Sequence, residues 1–260
     1  MSTLIHPTAI VDPKAELNEG VEVGPYSIIG PNVKIGKKTK IGPLVLLEGW
    51  VDIGKECSIS KGVVIGTLPQ DIGFEKRKSF VKIGDRNIIR EYTTIHRGTK
   101  AGSATRIGND NFLMAYSHVA HNCLIEDGVV LANQGTLAGY VTLEEKVMIG
   151  GLSAVHQYVK IGAHSIIGGC SKVVKDVPPY TKADGHPTRL WGLNYIALRR
   201  ANFSPETRNV LKKAYKILFR SGLNTTQALE RIENELESNP HIQHLCEFIR
   251  NSKRGICKER

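Results

Sequence analysis

Residues 17–66 are LNEGVEVGPYSIIGPNVKIGKKTKIGPLVLLEGWVDIGKECSISKGVVIG, with an aliphatic residue at every sixth position from Leu17 to Ile65. Steps of six from Ile5 to Val173 give 29 positions, of which 26 are Ile, Leu or Val. Neither an amphipathic helix nor an ordinary strand keeps one phase over such a length, whereas short strands wound into a solenoid do. The period therefore predicts a parallel β-helix in which three hexads form one coil of about 18 residues.

The other positions of the hexad fit the same architecture. The residue four places after the aliphatic position is usually small or β-branched, as at Val21, Ser27 and Thr39, which suits the corner of a narrow prism. Glycine often follows the aliphatic residue, where turns favour a positive φ. The aliphatic side chains are expected to point inward, and successive coils are expected to pair in parallel about 4.8 Å apart.

The composition is that of a globular chain with a repetitive architecture. Aromatic residues make up only 6% of the 260 residues, whereas there are 26 glycines. No apolar run approaches the ~20 residues of a membrane span, and the N-terminus lacks the basic and apolar regions of a secretion signal. The five cysteines form no CxxC pair, so we expect a reducing, cytoplasmic environment without disulfides or a structural zinc site.

Two interruptions of the period predict loops. Asp71 and Arg77 break it within residues 67–82, and Ala101 breaks it within residues 100–106. Regular hexads flank both stretches, so we expect loops that project from the coils. Loops on a rigid scaffold are favoured places for function.

The period ends after the prolines at 178 and 179, which divides the chain. We expect a β-helix domain over residues 1–189 and a helical domain over residues 190–260. Within the second domain, Ser204 and Pro205 mark a helix start as N-cap and first helical residue. Two further helices are predicted, one from Thr225 or Thr226 and one over residues 241–252.

Positive charge is concentrated in the helical domain. The net charge is +10, and residues 199–220 hold seven basic residues and a single acid, Glu206. Such a stretch is either a solvated helix face or a docking surface for an acidic partner. Interleaved surface aromatics and a known nucleic-acid module are absent, so an acidic carrier protein or a phosphorylated ligand is favoured over nucleic acid.

Residues 18 apart should lie above one another on adjacent coils, and one such column combines groups suited to acyl transfer. His121 can act as a general base near neutral pH. Gly139 offers a backbone N–H for an oxyanion, and Gln157 offers an amide to position a substrate. The sequence therefore predicts an acyl-transfer groove here, with a structural histidine at a coil corner as the alternative.

Other chemistries have weaker support. No GxSxG motif is present, and Cys123 occupies a buried position of its hexad, so direct attack by a substrate hydroxyl or amine is favoured over an acyl-enzyme. His118 and His121 could begin a metal site, but the spacing offers no third ligand. Neither a metal nor another cofactor is predicted, and His96, which has no stacked partner, is assigned a structural role.

Six segments closely resemble the UDP-N-acetylglucosamine O-acyltransferases, the family that begins lipid A biosynthesis. The likeness extends over nearly the whole chain. The segments are IHRGT (95–99), SHVAHNC (117–123), LAN (131–133), LAG (137–139), AVHQ (154–157) and DVPPY (176–180).

This resemblance implies a left-handed β-helix and a homotrimer with active sites between neighbouring chains. It also implies transfer of an (R)-3-hydroxyacyl chain from acyl carrier protein to the sugar 3-position of UDP-N-acetylglucosamine. The family's base corresponds to His121, its oxyanion donor to Gly139, and its acyl-length position to Gly169, where a glycine leaves room for a long chain. The family's sugar- and substrate-contacting positions correspond to Gln70, Asp71, His118, His156 and Gln157, and its nucleotide-phosphate contacts correspond to Asn194 and Arg200.

Four residues depart from the family pattern and leave the acceptor open. Members commonly carry histidine at Tyr140, aspartate at Asn122, lysine at Gly73 and arginine at Ala201. Some members use a UDP-sugar with a 3-amine, which is a better nucleophile than a hydroxyl. The sequence therefore leaves both a 3-hydroxyl and a 3-amino acceptor possible.

Three further functions compete with this assignment. The related lipid A N-acyltransferase has an additional N-terminal uridine-binding domain, for which hexads beginning at Ile5 are expected to leave no room. A hexapeptide-repeat carbonic anhydrase would contain stoichiometric zinc. In a non-catalytic scaffold, His121 would matter for stability alone.

Overall fold

The protein is described from a computed structural model, which covers residues 2–237 and 239–259. Up to Val173 the chain winds into a left-handed parallel β-helix, so the predicted fold class is confirmed. Three parallel sheets form the sides of a triangular prism, and we call them the first, second and third sheets.

Most strands consist of two to four residues. In chain order they are β1 (Leu4–Ile5), β2 (Ile10–Val11), β3 (Glu16–Leu17), β4 (Glu22–Val23), β5 (Ile28–Ile29), β6 (Asn32–Ile35), β7 (Lys40–Ile41), β8 (Leu46–Leu47), β9 (Trp50–Ile53), β10 (Ser58–Ile59), β11 (Val64–Thr67), β12 (Phe80–Ile83), β13 (Ile88–Ile89), β14 (Thr94–His96), β15 (Ala104–Ile107), β16 (Phe112–Leu113), β17 (His118–Val119), β18 (Leu124–Ile125), β19 (Val130–Leu131), β20 (Thr136–Leu137), β21 (Thr142–Leu143), β22 (Met148–Ile149), β23 (Ala154–Val155), β24 (Lys160–Ile161), β25 (Ile166–Ile167), β26 (Lys172–Val173), β27 (Thr181–Gly185) and β28 (Thr188–Leu193).

Each sheet takes every third strand. The first sheet is β1-β4-β7-β10-β13-β16-β19-β22-β25-β27-β28, the second is β2-β5-β8-β11-β14-β17-β20-β23-β26, and the third is β3-β6-β9-β12-β15-β18-β21-β24. Pairing such as Ile5 with Val23 and Val119 with Leu137 shows the 18-residue coil directly. Residues 18 apart therefore stack, as the sequence predicts.

The aliphatic positions fill the prism, and small polar residues connect its coils. Ile29, Leu47 and Ile65 are at most 1% exposed, and each such side chain contributes roughly 1.5–3 kcal/mol by its burial. The buried Ser27 hydroxyl donates to the Gly42 carbonyl at 2.7 Å and accepts from the Val45 N–H at 3.1 Å. The interior is thus apolar along its axis and hydrogen-bonded from coil to coil near the corners.

Two edges of the prism matter for function. The tyrosine edge joins the first sheet to the second and carries exposed turn residues, namely Tyr26, Leu44, Tyr92, Tyr116 and Leu152. The histidine edge joins the second sheet to the third and carries the turns that contain His121, Gly139 and Gln157. Turn residues on both edges have φ near +60°, as at Tyr116 and Tyr140.

Two excursions leave the coils. Residues 68–79 connect β11 to β12, and residues 97–103 connect β14 to β15. Asp71 and Arg77 lie in the first excursion and Ala101 in the second. Both excursions follow strands of the second sheet, so they project at the histidine edge.

The helices follow a hairpin that the sequence did not predict. They are α1 (Tyr195–Arg200), α2 (Pro205–Arg220), α3 (Thr225–Glu235) and α4 (Pro240–Arg250). The expectation of helix from about residue 190 is wrong, because β28 continues to Leu193 and pairs antiparallel with β27. Buried Ala183 and Leu190 extend the first sheet there instead of starting a helix. Ser204 caps α2 as predicted, and Asn239 caps α4.

A cluster of titratable side chains joins α4 to the last coils. The Tyr180 hydroxyl lies 2.8 Å from Nδ1 of His244 and 3.3 Å from Nδ1 of His241. Nε2 of His244 lies 2.9 Å from a Glu144 carboxylate oxygen. Across the described residues, no helix combines the length and apolarity needed to span a membrane.

Candidate active site

His121 is held in a defined tautomer by its neighbour. Asn122 Oδ1 accepts a hydrogen bond from the Thr99 backbone N–H at 2.9 Å, which identifies this side-chain atom as the oxygen. The same oxygen lies 3.1 Å from His121 Nδ1. Because an amide oxygen can only accept, Nδ1 carries the proton and Nε2 keeps its lone pair. Asn122 is thus placed to orient the His121 ring.

Gly139 lies directly beneath the His121 ring. A Cβ at this position would lie within 2.6 Å of His121 Nε2, so a larger residue would displace the imidazole. The neighbouring Tyr140 N–H is used by the coil and donates to the His121 carbonyl at 3.0 Å. By contrast, the Gly139 N–H donates to no acceptor within the described chain. A free amide donor and a basic nitrogen therefore lie side by side.

The first excursion and His121 line what we call the histidine cavity, whereas Gly139 lies beneath the His121 ring and is not among the lining residues. The cavity has a volume of about 680 Å³. Four predicted site residues line it, namely Gln70, Asp71, His121 and Gln157, together with the stacked rings of Tyr140 and Tyr158, whose centres are 4.8 Å apart. The structure thus brings the predicted base and three predicted substrate contacts together within one chain.

The Asp71 carboxylate is presented by a tight turn. Its Oδ1 accepts from the Gly73 N–H at 2.9 Å, and its backbone carbonyl accepts from the Phe74 N–H at 3.0 Å. The turn is exposed, with Ile72 at its tip. Asp71 therefore keeps acceptor capacity for a ligand in the cavity.

Two other predicted contacts lie near the cavity without lining it. His118 points outward from β17, with Nδ1 2.7 Å from the Thr94 hydroxyl, and burial lowers the pKa of His118. His156 follows β23 and is exposed, with Nδ1 3.2 Å from the Gln157 carbonyl. Both extend the polar surface of the second sheet toward the histidine edge.

His96 lies deeper than these two histidines. Burial, together with nearby His118 and His121, lowers the pKa of His96 to about 4, so it is neutral at physiological pH. Its ring packs edge-on against His118 with a centroid separation of 4.9 Å. This environment agrees with the structural role predicted for it.

The predicted nucleotide contacts lie on a different side of the prism. Asn194 and Arg200 line a second cavity of about 440 Å³, which we call the Asn194 cavity, over the outer face of the first sheet. Met148, Ile166 and His164 also line it. The Asn194 side chain caps α1 through its oxygen and donates to the His164 carbonyl at 2.9 Å. Within one chain, the Asn194 cavity and the histidine cavity do not meet.

Three other sequence predictions can be located. Gly169 lies on the tyrosine edge after β25 and lines neither cavity, with the Gly151 carbonyl 3.3 Å from where its Cβ would be. Cys123 is buried and burial raises its pKa to about 12, which makes its thiol inert as predicted. Among the described residues, no group of three His, Cys, Asp or Glu side chains could hold a metal ion.

Some residues of the histidine cavity were not predicted from the sequence. Thr99, Lys100 and Arg77 line it, and the Thr99 hydroxyl lies 3.0 Å from the Tyr140 hydroxyl. The available signal was the break in the six-residue period, since all three belong to the excursions. The period alone does not show which loop side chains turn back toward the edge.

The fold is a β-helix of six-residue repeats, and its candidate site has a histidine ring over an unused glycine amide. These features indicate the class of hexapeptide-repeat acyltransferases. Bacterial transferase hexapeptide repeats match residues 32–67 and 104–139, and the second domain of UDP-N-acetylglucosamine O-acyltransferase matches residues 176–257. The chain belongs to the acyl-(acyl-carrier-protein)–UDP-N-acetylglucosamine O-acyltransferase family, a family of acyltransferase enzymes.

Relatives of known name match it over nearly their full length. The acyltransferase of this name from Thermodesulfovibrio yellowstonii is 51% identical, over 98% of this chain and 99% of that one. The one from Alkalilimnicola ehrlichii is 50% identical, over 98% and 100%. Among solved structures, LpxA from Acinetobacter baumannii is 40% identical, covers 98% of this chain and 100% of its own, and superposes with a TM-score of 0.94.

Proposed function

We propose that the protein transfers an (R)-3-hydroxyacyl chain from acyl carrier protein to the 3-hydroxyl of UDP-N-acetylglucosamine, the first step of lipid A biosynthesis. The observation that carries this proposal is the pair formed by His121 Nε2 and the unused Gly139 N–H. Relatives named for the same acyl transfer, at about half identity over the full chain, support it.

His121 acts as the general base in this proposal. The acceptor oxygen attacks the thioester carbonyl carbon while Nε2 takes the proton of the hydroxyl. Asn122 accepts from Nδ1–H and keeps the ring oriented as it becomes positively charged. When the tetrahedral intermediate collapses, the thiolate of the carrier leaves, and the imidazolium returns the proton to it.

Gly139 stabilises the charge that develops on the carbonyl oxygen. A preorganised backbone donor is worth roughly 10²–10³ in turnover in comparable acyl transfers. Gln157 and Asp71, which line the histidine cavity with His121, position the sugar. No group of the protein needs to form a covalent intermediate.

The substrate-binding site is completed between copies of the chain in a trimer. The Asn194 cavity lies over the first sheet, on the side of the prism opposite the histidine edge. If three prisms meet at their tyrosine edges, the second sheet of one chain faces the first sheet of the next. This arrangement brings His121 of one chain toward Asn194 and Arg200 of its neighbour, which hold the nucleotide in the proposal.

The exposed surface supports the same assembly. Tyr26, Tyr116 and Leu152 on the tyrosine edge are 58–64% exposed in the single chain, and the Tyr92 and Tyr116 rings stack at 5.2 Å. Such a continuous apolar column typically marks an interaction surface. Gly169 lies on this edge, where the acyl chain would reach between neighbours.

The acyl carrier protein would dock on the basic surface of α2. Lys212, Lys213 and Lys216 are exposed there, and acidic partners are steered toward such surfaces. A cytoplasmic location is part of the proposal, because all five cysteines are unpaired in the structure and free thiols suit a reducing compartment.

An acyl-transfer assay tests the proposed function. Purified protein is incubated with acyl carrier protein thioesters of increasing chain length and with either UDP-N-acetylglucosamine or its 3-amino analogue. We expect transfer to the 3-hydroxyl sugar. Transfer to the amine alone would show a different acceptor, and transfer to neither would contradict the proposal.

A further inference from the structure

The segment 70–78 brings Gln70 and Asp71 to the histidine cavity, yet it is weakly tied to the β-helix. The described hydrogen bonds of residues 70–77 join these residues only to one another. The first hydrogen bond to the rest of the chain is at Lys78, whose carbonyl accepts from the Gly102 N–H at 2.9 Å. Every side chain in the segment is exposed except that of Phe74, which is half-buried. Phe74 is therefore the contact through which the middle of the segment meets the scaffold.

The partner of Phe74 is a buried arginine, Arg97. The Arg97 guanidinium carbon lies 5.9 Å from the centre of the Phe74 ring and 5.4 Å from the Trp50 ring. Arg97 is 7% exposed and its Nε has no hydrogen-bond partner. Burial lowers the pKa of Arg97, and the negative charge of Glu48 opposes this lowering. A buried cation needs compensation, and two aromatic faces add to that of Glu48 through their negative quadrupoles.

The scaffold makes room for this arrangement. Gly49 precedes Trp50 with φ of +72°, and a Cβ there would lie 2.7 Å from Arg97 Nη1. Lys78 Nζ lies 5.6 Å from the Trp50 ring, so the same indole also receives the end of the segment. Arg97 is thus fixed by the coil and presents its charge to the one loop side chain that turns inward.

We propose that Arg97 and Phe74 are positioning residues that hold the Asp71 carboxylate over His121. Phe74 is the last residue of the Asp71 turn, because its N–H donates to the Asp71 carbonyl at 3.0 Å. Displacement of its ring therefore moves Asp71 directly. The proposal rests on the proposed function, since it assigns the contact of Asp71 to the sugar of that reaction.

Steady-state kinetics on the full-length protein test the positioning role. Phe74→Leu keeps an apolar side chain but removes the aromatic face, whereas Phe74→Tyr keeps that face. We expect Phe74→Leu to raise KM for the UDP-sugar roughly 5- to 30-fold, the range that a desolvated cation–π contact supports. KM for the acyl carrier protein thioester should be unchanged, and Phe74→Tyr should resemble the wild type.

A double variant separates positioning from a general structural role. If Phe74 acts through Asp71, adding Phe74→Leu to Asp71→Asn should cost little beyond Asp71→Asn alone. Phe219→Leu, which changes a half-buried phenylalanine of α2, serves as the matched control. Fully additive effects of Phe74→Leu and Asp71→Asn would overturn the proposal.

Limited trypsin digestion provides a test that needs no catalysis. Lys76, Arg77 and Lys78 are exposed cleavage sites within the segment. Phe74→Leu should be cut there faster than the wild type, and Phe74→Tyr at the wild-type rate. Equal cutting of all three proteins would contradict the proposal, whereas a wild type that transfers no acyl chain would contradict the proposed function instead.

Discussion

His121 and Gly139 constrain each other across adjacent coils. The ring occupies the space that a side chain at position 139 would need, and this contact keeps the glycine N–H beside Nε2. Asn122 fixes the ring from the other side through Nδ1. The base is therefore positioned by two neighbours that are fixed by the coil register and not by a flexible loop.

Replacement of His121 tests the base directly. His121→Ala should lower kcat about 10²- to 10⁴-fold, because general base catalysis is typically worth that much. The trimer and the melting temperature should be retained, since His121 is only partly buried at a coil corner. Turnover and light scattering on the same preparation check both points, and a variant that keeps more than about a tenth of wild-type activity would remove His121 from this role.

The sequence predicted the column of His121, Gly139 and Gln157 because residues in the periodic region stack at a known spacing. It could not place Arg97, which follows the last hexad before an excursion and turns inward between Trp50 and Phe74. The position of Asn194 was equally beyond the period, because it depends on how the hairpin and α1 fold back on the first sheet. The roles of these site residues stay predictions.

At the scale of elements, α4 is joined to the β-helix by charged and polar groups. His244 lies between the Tyr180 hydroxyl and the Glu144 carboxylate. The hydrogen bond to Glu144 raises the pKa of His244 above its ordinary value of 6.5, against the opposing effect of burial. Burial lowers the pKa of both His164 and His241 in the same cluster.

This cluster makes the docking of α4 pH-dependent. Because the pKa of His244 is raised in the folded state, protonated His244 contributes to the free energy of unfolding. This contribution is fully present below about pH 6.5 and is lost as the pH rises through the folded pKa. His164 and His241 act with the opposite sign and destabilise the fold as the pH falls. Because the charge of His244 adds to the lowering of both pKa values, a His244 variant also relieves part of this opposing effect.

We therefore expect His244→Gln to be more destabilising at pH 6 than at pH 8. The destabilisation by His244→Gln should differ between the two pH values by at most about 1 kcal/mol, since the His244–Glu144 pair is partly exposed. Denaturant unfolding at fixed protein concentration measures it. Glu144→Gln should remove the same pH dependence, and a His244→Gln effect that is constant with pH would show that the ion pair contributes nothing.

The basic face of α2 gives a second prediction for an element. Arg220 is bound to Glu259 and lies over Tyr215, so it is a poor probe of this face. Reversal of Lys212, Lys213 and Lys216 to Glu should raise KM for the acyl carrier protein substrate severalfold at low salt and leave KM for the UDP-sugar unchanged. The effect should fade as salt shortens the Debye length from about 10 Å at 0.1 M to about 3 Å at 1 M.

The control for this experiment is charge reversal far from α2. Lys14→Glu changes an exposed lysine in the first coils, and it should leave both Michaelis constants unaltered. An equal rise of both constants in the α2 variant, or a carrier-protein effect that does not respond to salt, would show that this face is merely solvated.

For the whole molecule, the division of the site between two cavities predicts that activity depends on assembly. In light scattering the protein should have three times the chain mass of 28.6 kDa. Tyr116→Glu would bury a charge where the tyrosine edges meet and should dissociate the trimer. Activity should fall in proportion to the fraction of protein that dissociates. Leu124→Glu, at an exposed position on the third sheet, should leave mass and activity intact. A fully active monomer would contradict the shared site.

The coil register also restricts how natural chains of this kind can change in length. Strands pair 18 residues apart, or 30 and 24 apart where the two excursions intervene, as for Ser58 with Ile88 and Ile88 with Phe112. Gain or loss of one full coil keeps every later aliphatic residue inside, whereas a single inserted residue within a strand would turn the following ones outward. Over evolutionary time, insertions and deletions should therefore accumulate in the two excursions, or arise as duplications and losses of whole coils.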